Sequence, residues 1–115
     1  MAQSRRGQIS QADVEMIRSQ FPLVPIEELH GCCYLRFTAV DRPGVLAHIT
    51  GALGDHGVGI ESVIQRGISA QDNSVSAVAL THAAPEAAVR SAIKEIDAMP
   101  DVAAATRLIR VEWGA

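Results

Sequence analysis

The sequence predicts an α+β fold, a β-α-β-β-α-β two-layer sandwich in which a four-stranded antiparallel sheet carries two helices on one face. Three observations predict it. Four segments have the length and apolar alternation of strands, two intervening segments repeat apolar residues at helical spacing, and glycine- or proline-bearing breaks separate them in that order. Each helix links strands that must run parallel, and right-handed crossovers then place both helices on the same side of the sheet. At 115 residues the chain has room for one such core, since single domains occupy about 100–150 residues.

Residues 1–31 read differently from the rest, polar and glutamine-rich at first and then punctuated by Pro22 and Pro25, and are expected to form a linker or extension with one short helix. Ser10 and Asp13 form an N-cap pair, Val14, Ile17 and Arg18 continue one face, and Phe21-Pro22 ends the helix after one or two turns. The apolar group Phe21, Leu23, Val24 and Ile26 is expected to lie against this domain or a neighbour.

The domain itself is expected over residues 32–115. Its first strand is Tyr34 to Val40, where Leu35, Phe37 and Ala39 share a face at period two. Asp41-Arg42-Pro43-Gly44 breaks that strand, and Val45, Leu46, Ile49 and Leu53 then recur as the apolar stripe of a helix closed by Gly54 and Gly57. Ile60 to Arg66 is the second strand, Gly67 to Ser74 a polar hairpin loop, and Val75 to Thr81 the third strand. Pro85-Glu86 opens the second helix, with Val89, Ala92, Ile93 and Ile96 inward and Met99-Pro100 as its stop. Leu108 to Trp113 is the fourth strand. This arrangement leaves the opposite sheet face uncovered and the edge beside the second strand open, both of which invite a second subunit.

Several classes of function are disfavoured by composition. The net charge is −3 and the one basic pair is Arg5-Arg6, so nothing resembles the cationic stripe that nucleic acid binding rests on. A membrane span would need roughly 20 consecutive apolar residues, and neither such a run nor a secretory leader is visible, so a cytoplasmic protein is expected. Cys32 and Cys33 are adjacent and therefore poorly placed to bond each other. His30, His48, His56 and His82 lack the spacing of metal ligands, so no metal and no cofactor is expected. Gly54, Gly57 and Gly59 follow a helix instead of joining a strand to a helix start, which is not the dinucleotide-binding pattern.

The chemistry concentrates in Asp41-Arg42-Pro43-Gly44-Val45-Leu46. Pro43 presets φ for a first helical turn, and Gly44 lets another molecule approach the backbone. The free N–H groups and positive dipole end of the following helix suit a carboxylate, and Asp41 can hold an ammonium beside it, as an α-amino acid requires. The hexapeptide alone fits a plainer role at least as well, with Asp41 as helix cap and Gly44 as turn former.

The run Tyr34 to Ala47, followed by Ile49, Leu53, Gly57-Val58 and Ile60 to Gln65, resembles an ACT domain. More narrowly, Leu80-Thr81-His82-Ala83 and Ile96 to Pro100 are similar to the regulatory ACT domain of bacterial homoserine dehydrogenases. The resemblance covers roughly residues 33–113 and implies a ferredoxin-like fold, with an amino-acid effector held between paired ACT units. By that match Asp41, Arg42, Pro43, Gly44, Val45 and Leu46 of one protomer face Gly59, Ile60, Glu61 and Ser62 of another. Threonine is the implied effector, and the partner is a second copy in a dimer or a larger ACT assembly. Effector-binding members often carry an amide or hydroxyl where this chain has Gly59. A regulatory domain without catalysis of its own is expected, in contrast to an NAD(P)-dependent parent enzyme. Two alternatives stay open: a dimerisation module with no small ligand, and a small enzyme using His48 or His82 as base.

Overall fold

The computed structural model describes residues 10–69, 71 and 73–112. Four strands, β1 (Cys33–Val40), β2 (Ile60–Ser69), β3 (Ser74–Thr81) and β4 (Val102–Arg110), form one sheet in the order β2-β3-β1-β4. Every neighbouring pair is antiparallel. Helices α2 (Val45–Asp55) and α3 (Glu86–Asp97) make the β1-α2-β2 and β3-α3-β4 crossovers, giving the expected α+β sandwich. A third helix, α1 (Gln11–Gln20), precedes the sheet.

The helix-side core follows the predicted stripes. Leu35, Phe37 and Ala39 of β1 meet Val45, Ile49 and Leu53 of α2 and Val89, Ala92 and Ile96 of α3, all buried. Leu46 and Ile93 pack at its margin, partly exposed. Fully burying a Leu, Ile or Phe side chain contributes about 1.5–3 kcal/mol, so these residues hold the two layers together.

Strand β4 begins at Val102, not at Leu108. Its first half, Val102 to Thr106, is alanine-rich, and alanine has little strand preference of its own. The free edge of β1 supplies the pairing instead, with Ala39 opposite Val102 and Thr38 opposite Ala104 across irregular register. Trp113 of the predicted strand lies outside the described residues. Strand β2 likewise runs past Arg66 to Ser69, with a register shift between Gln65 and Gly67.

The opposite sheet face is not left bare. Ser10 caps α1 through its Oγ, which accepts from the Asp13 N–H at 3.0 Å, and the helix runs for ten residues instead of one or two turns. From it and the following segment, Ile17, Phe21, Leu29 and Cys32 form a second buried cluster with Tyr34, Val78, Leu80 and Val111. The Tyr34 hydroxyl donates to Gln20 Oε1 at 3.3 Å and accepts from Arg36 Nη2 at 3.0 Å, which ties the end of α1 to the sheet. Of the apolar group expected to pack, Phe21 is buried and Val24 partly so, whereas Leu23 is 94% exposed.

Candidate functional site

The turn between β1 and α2 is pinned from two sides. The Val40 N–H donates to the Asp101 carbonyl at 2.8 Å and the Asp41 N–H to the Asn73 carbonyl at 2.9 Å. The Arg42 guanidinium pairs with the Asp101 carboxylate at 2.7 Å, so the turn is tied to both the β2–β3 hairpin and the approach to β4. Gly44 is the N-cap of α2 and sits at φ +87°, in the left-handed region. A side chain there is strained, which is the reason for glycine at this position.

Two sequence expectations need correction. Asp41 does not cap α2: the N-cap is Gly44, and no side chain hydrogen-bonds to the helix start. Pro43 lies outside the helix, two positions before Val45, so it shapes the turn and not the first helical residues. The consequence is a helix start with neither a side-chain cap nor an acidic residue in its first turn. The Val45 N–H turns back to the Arg42 carbonyl at 3.3 Å, and the dipole at this end of the helix favours an anion from elsewhere. A Cβ built on Gly44 would meet nothing within 4 Å, so the backbone is approachable.

Beneath the turn lies a cavity of about 350 Å³. Residues Asp41 to Leu46 form its mouth, Phe37, Ala39, Val75 and Ala77 its sheet-side floor, Ile49 one wall and Gln65 a polar rim. The arrangement offers an apolar hollow beside hydrogen-bond donors, which suits a small ligand with one charged end and a short aliphatic part.

Gly59, Ile60, Glu61 and Ser62 stand elsewhere. Gly59 precedes β2 and the other three open it, with Ile60 opposite Thr81, whereas Gln65 farther along the strand is opposite Ala77 beside the cavity. At about 3.3 Å per residue, the two sets are separated by roughly 15 Å or more within one chain. The second set has its own cluster: Glu61 Oε1 lies 3.2 Å from His82 Nδ1. The His82 N–H donates to the Gly59 carbonyl at 2.9 Å. The buried Thr81 hydroxyl donates to the His82 carbonyl at 2.8 Å and accepts from the Cys33 N–H at 3.0 Å.

Sequence reasoning missed Gln65, Val75 and Ala77 at the cavity and His82 beside Gly59. Phe37, Ala39 and Ile49 carried a signal, since their periodicity faces them inward. Gln65 carried none, because an isolated glutamine in a strand reads as solvated. The two thiols are free and buried. Burial pushes Cys32 up, reinforced by Cys33, Glu61 and Glu28; burial also pushes Cys33 up, opposed in part by Arg110 and the Thr81 hydroxyl. Neither is an activated nucleophile. Among the described residues no three His, Cys, Asp or Glu side chains converge as metal ligands, and no helix is long and apolar enough to cross a membrane.

Comparison with known proteins agrees with the fold. The model of the family described as the ACT domain matches residues 34–98. The homoserine dehydrogenase of Pseudomonas aeruginosa is 37% identical over 94 residues, which is 82% of this chain and 22% of that protein. Among solved structures, a homoserine dehydrogenase from Thiobacillus denitrificans superposes with a TM-score of 0.63 at 37% identity, over 77% of this chain and 19% of that one. The ACT domain of the GTP pyrophosphokinase of Chlorobium tepidum superposes with a TM-score of 0.54 at 13% identity, over 68% of this chain and 96% of that one, a likeness of fold. The chain thus spans about a fifth of the length of the homoserine dehydrogenases it matches.

Proposed function

The chain belongs to the ACT-domain family, and on that premise we propose that it is an amino-acid-binding regulatory domain that controls homoserine dehydrogenase activity in the threonine and methionine branch of biosynthesis. It has no catalysis of its own in this reading, and it works in the cytoplasm alongside the biosynthetic enzymes it resembles. The observation that carries the proposal is the uncapped start of α2 opening onto the cavity under Gly44. The effector's carboxylate takes the amides at that helix mouth, and its short side chain enters the hollow floored by Ala39, Val75 and Ala77. Threonine is the effector that the resemblance implies, and its short, partly apolar side chain can enter a hollow of this volume.

The complete site spans two copies. Strand β2 is an edge strand, so antiparallel pairing of two β2 edges brings the Ile60 end of one copy to the Gly44 end of the other. A ligand at that junction prefers one arrangement of the pair over others, which is what an allosteric signal of typically 1–3 kcal/mol requires.

Titration calorimetry of the chain with L-threonine, then with the other proteinogenic amino acids at millimolar concentration, tests this reading. Binding heat and a raised melting temperature are expected with threonine, and both should vanish in Gly44→Val, where a β-branched side chain is forced to φ +87° at the mouth. No heat and no thermal shift with any of the twenty ends the sensor reading. A second reading, a dimerisation module without a small ligand, is favoured by the exposure of Val63 (37%) and Ile68 (58%) on β2. It predicts a dimer by sedimentation that no amino acid alters.

A further inference from the structure

We propose that the outer face of the sheet carries an oxyanion site for a small phosphorylated metabolite, built by Arg36 of β1, Arg66 of β2 and Ser76 of β3 and reinforced by Arg107 of β4. The site is independent of the effector reading above and lies on the other side of the sheet from the α2 start. Strand alternation brings the four side chains together. Arg36 stands two positions after Tyr34, Arg66 two after Ile64, Ser76 two before Val78 and Arg107 two before Ile109, and each of those reference residues belongs to the outer cluster or packs against it. Register then aligns them as a row across the sheet. Arg36 is directly opposite Arg107, Ser76 is opposite Gly67, and Arg66 is the unpaired residue at the register shift between Gln65 and Gly67. Such irregularities re-aim a side chain.

Arg36, Arg66, Gly67, Ile68 and Ser76 line an open hollow of about 510 Å³. Among the described residues no ion pair engages any of the three arginines; the cationic partners in the pairs that form are Arg42, His56, His82 and Arg90. Like charges directly opposite on neighbouring strands repel, so Arg36 and Arg107 sit together at a cost that an anion removes. Arg36 gives an independent sign. Its Nη2 is held in place, donating to the Tyr34 hydroxyl at 3.0 Å with Met16 Sδ at 4.0 Å, whereas its buried Nε has no hydrogen-bond partner among the described residues. An unmet buried donor on a charged group is costly and calls for an acceptor from outside the protein.

The donor set selects phosphate. Each guanidinium is permanently charged and presents a planar fork of donors, and Ser76 adds a hydroxyl. A phosphate monoester brings nearly two negative charges and three terminal acceptor oxygens, whereas a carboxylate brings one charge and saturates a single fork. The hollow is larger than one phosphate group, and Ile68, 58% exposed, offers an apolar surface to the organic part of the ligand. Three cations reach one or two phosphate groups and fall short of the extended row that nucleic acid needs. The arginines are far apart in sequence, so composition showed no cationic cluster, and in a chain of net charge −3 their attraction is local to this face. Binding has a structural consequence as well. Arg36 is tied through the Tyr34 hydroxyl to Gln20, so an anion that fixes Arg36 also fixes the end of α1 on the sheet.

The test is phosphorus NMR and thermal unfolding of the full chain with sodium pyrophosphate, set against sodium acetate at matched ionic strength, for wild type, Arg66→Ala, Arg36→Lys, Arg107→Ala and Arg90→Ala. Pyrophosphate is expected to raise the melting temperature and to broaden its own phosphorus resonance, and acetate to leave the melting temperature where it was. Arg66→Ala should weaken pyrophosphate binding roughly 10-fold, as for a hydrogen bond to a charged group. Arg36→Lys keeps the charge but loses the fork and should weaken it by a similar factor. Arg107→Ala, beside the hollow, should weaken it by less than about fivefold. Arg90→Ala, on α3 and paired with Glu86, should leave it unchanged. Arg66 is exposed, so its variant decides the matter even where Arg36→Lys fails to fold. No pyrophosphate response in wild type, an equal response to acetate, wild-type affinity in Arg66→Ala, or an equal loss in Arg90→Ala overturns the assignment. None of these outcomes bears on threonine, whose proposed site is on the opposite face.

Discussion

The two faces of the sheet are both covered, but by elements that depend on it in different ways. On one side α2 and α3 each enter and leave through a strand, so their positions follow from chain connectivity, and their apolar stripes meet Leu35, Phe37 and Ala39. On the other side residues 11–32 do not connect two strands of the sheet, and they reach Tyr34, Val78 and Leu80 through three large side chains, Ile17, Phe21 and Leu29. Adjacent residues of one strand thus serve two cores, Tyr34 outward and Leu35 inward. The difference teaches that the outer layer is the separable one, and separability is where local opening begins.

Removing residues 1–31 should have the largest effect. It strips the cover from Tyr34, Val78 and Leu80, and the shortened chain is expected to aggregate or bind a hydrophobic dye, as sedimentation and fluorescence would show. A truncated chain as stable and as soluble as the full one would mean that the outer layer is incidental. Next in size, Leu53→Ala on the helix side should cost about 2–5 kcal/mol in urea unfolding. Leu29→Ala on the outer side should cost less, because a segment that is not held between two strands can settle into the space; equal losses would show the two layers to be equally rigid.

Smaller effects sharpen the same contrast. Tyr34→Phe removes the hydroxyl that joins Gln20 to Arg36 and should cost about 1 kcal/mol by the same assay. The adjacent thiols report on one layer each, Cys32 on the outer cluster and Cys33 on the helix-side core. Under native conditions Cys32 should be alkylated first, as peptide mass mapping would reveal; simultaneous labelling would indicate a single opening event. Burial holds both thiols above their ordinary value of 9.0, so the folded state favours the protonated form. Their contribution to stability is intact below that value and is lost as pH rises past it, giving a modest fall in melting temperature on the alkaline side.

The candidate site was legible in part. Asp41 to Leu46 announced itself as a strand-to-helix break bearing proline and glycine, and the structure puts those residues around one cavity. The role assigned to Asp41 as a cap was not met, because the helix starts three positions later than that role requires, at Val45. Gly59 read as a lost polar contact, whereas the structure shows His82 standing over it. Gln65 gave no sign of lining a cavity until the pairing of β2 with β3 placed it opposite Ala77.

By itself the sequence determined the order of strands and helices from Cys33 onward, the inward faces of α2 and α3, and the break that exposes the start of α2. All of these arise from interactions within a few residues, where side-chain period and backbone preference act directly. Tertiary structure alone decided that residues 11–32 fold back over the outer face, that an alanine-rich stretch joins β1 as a strand, and that an imidazole fills the room left by a glycine. Each of those depends on partners distant in the chain, and local periodicity can show that a surface is apolar or a position vacant without showing what will meet it.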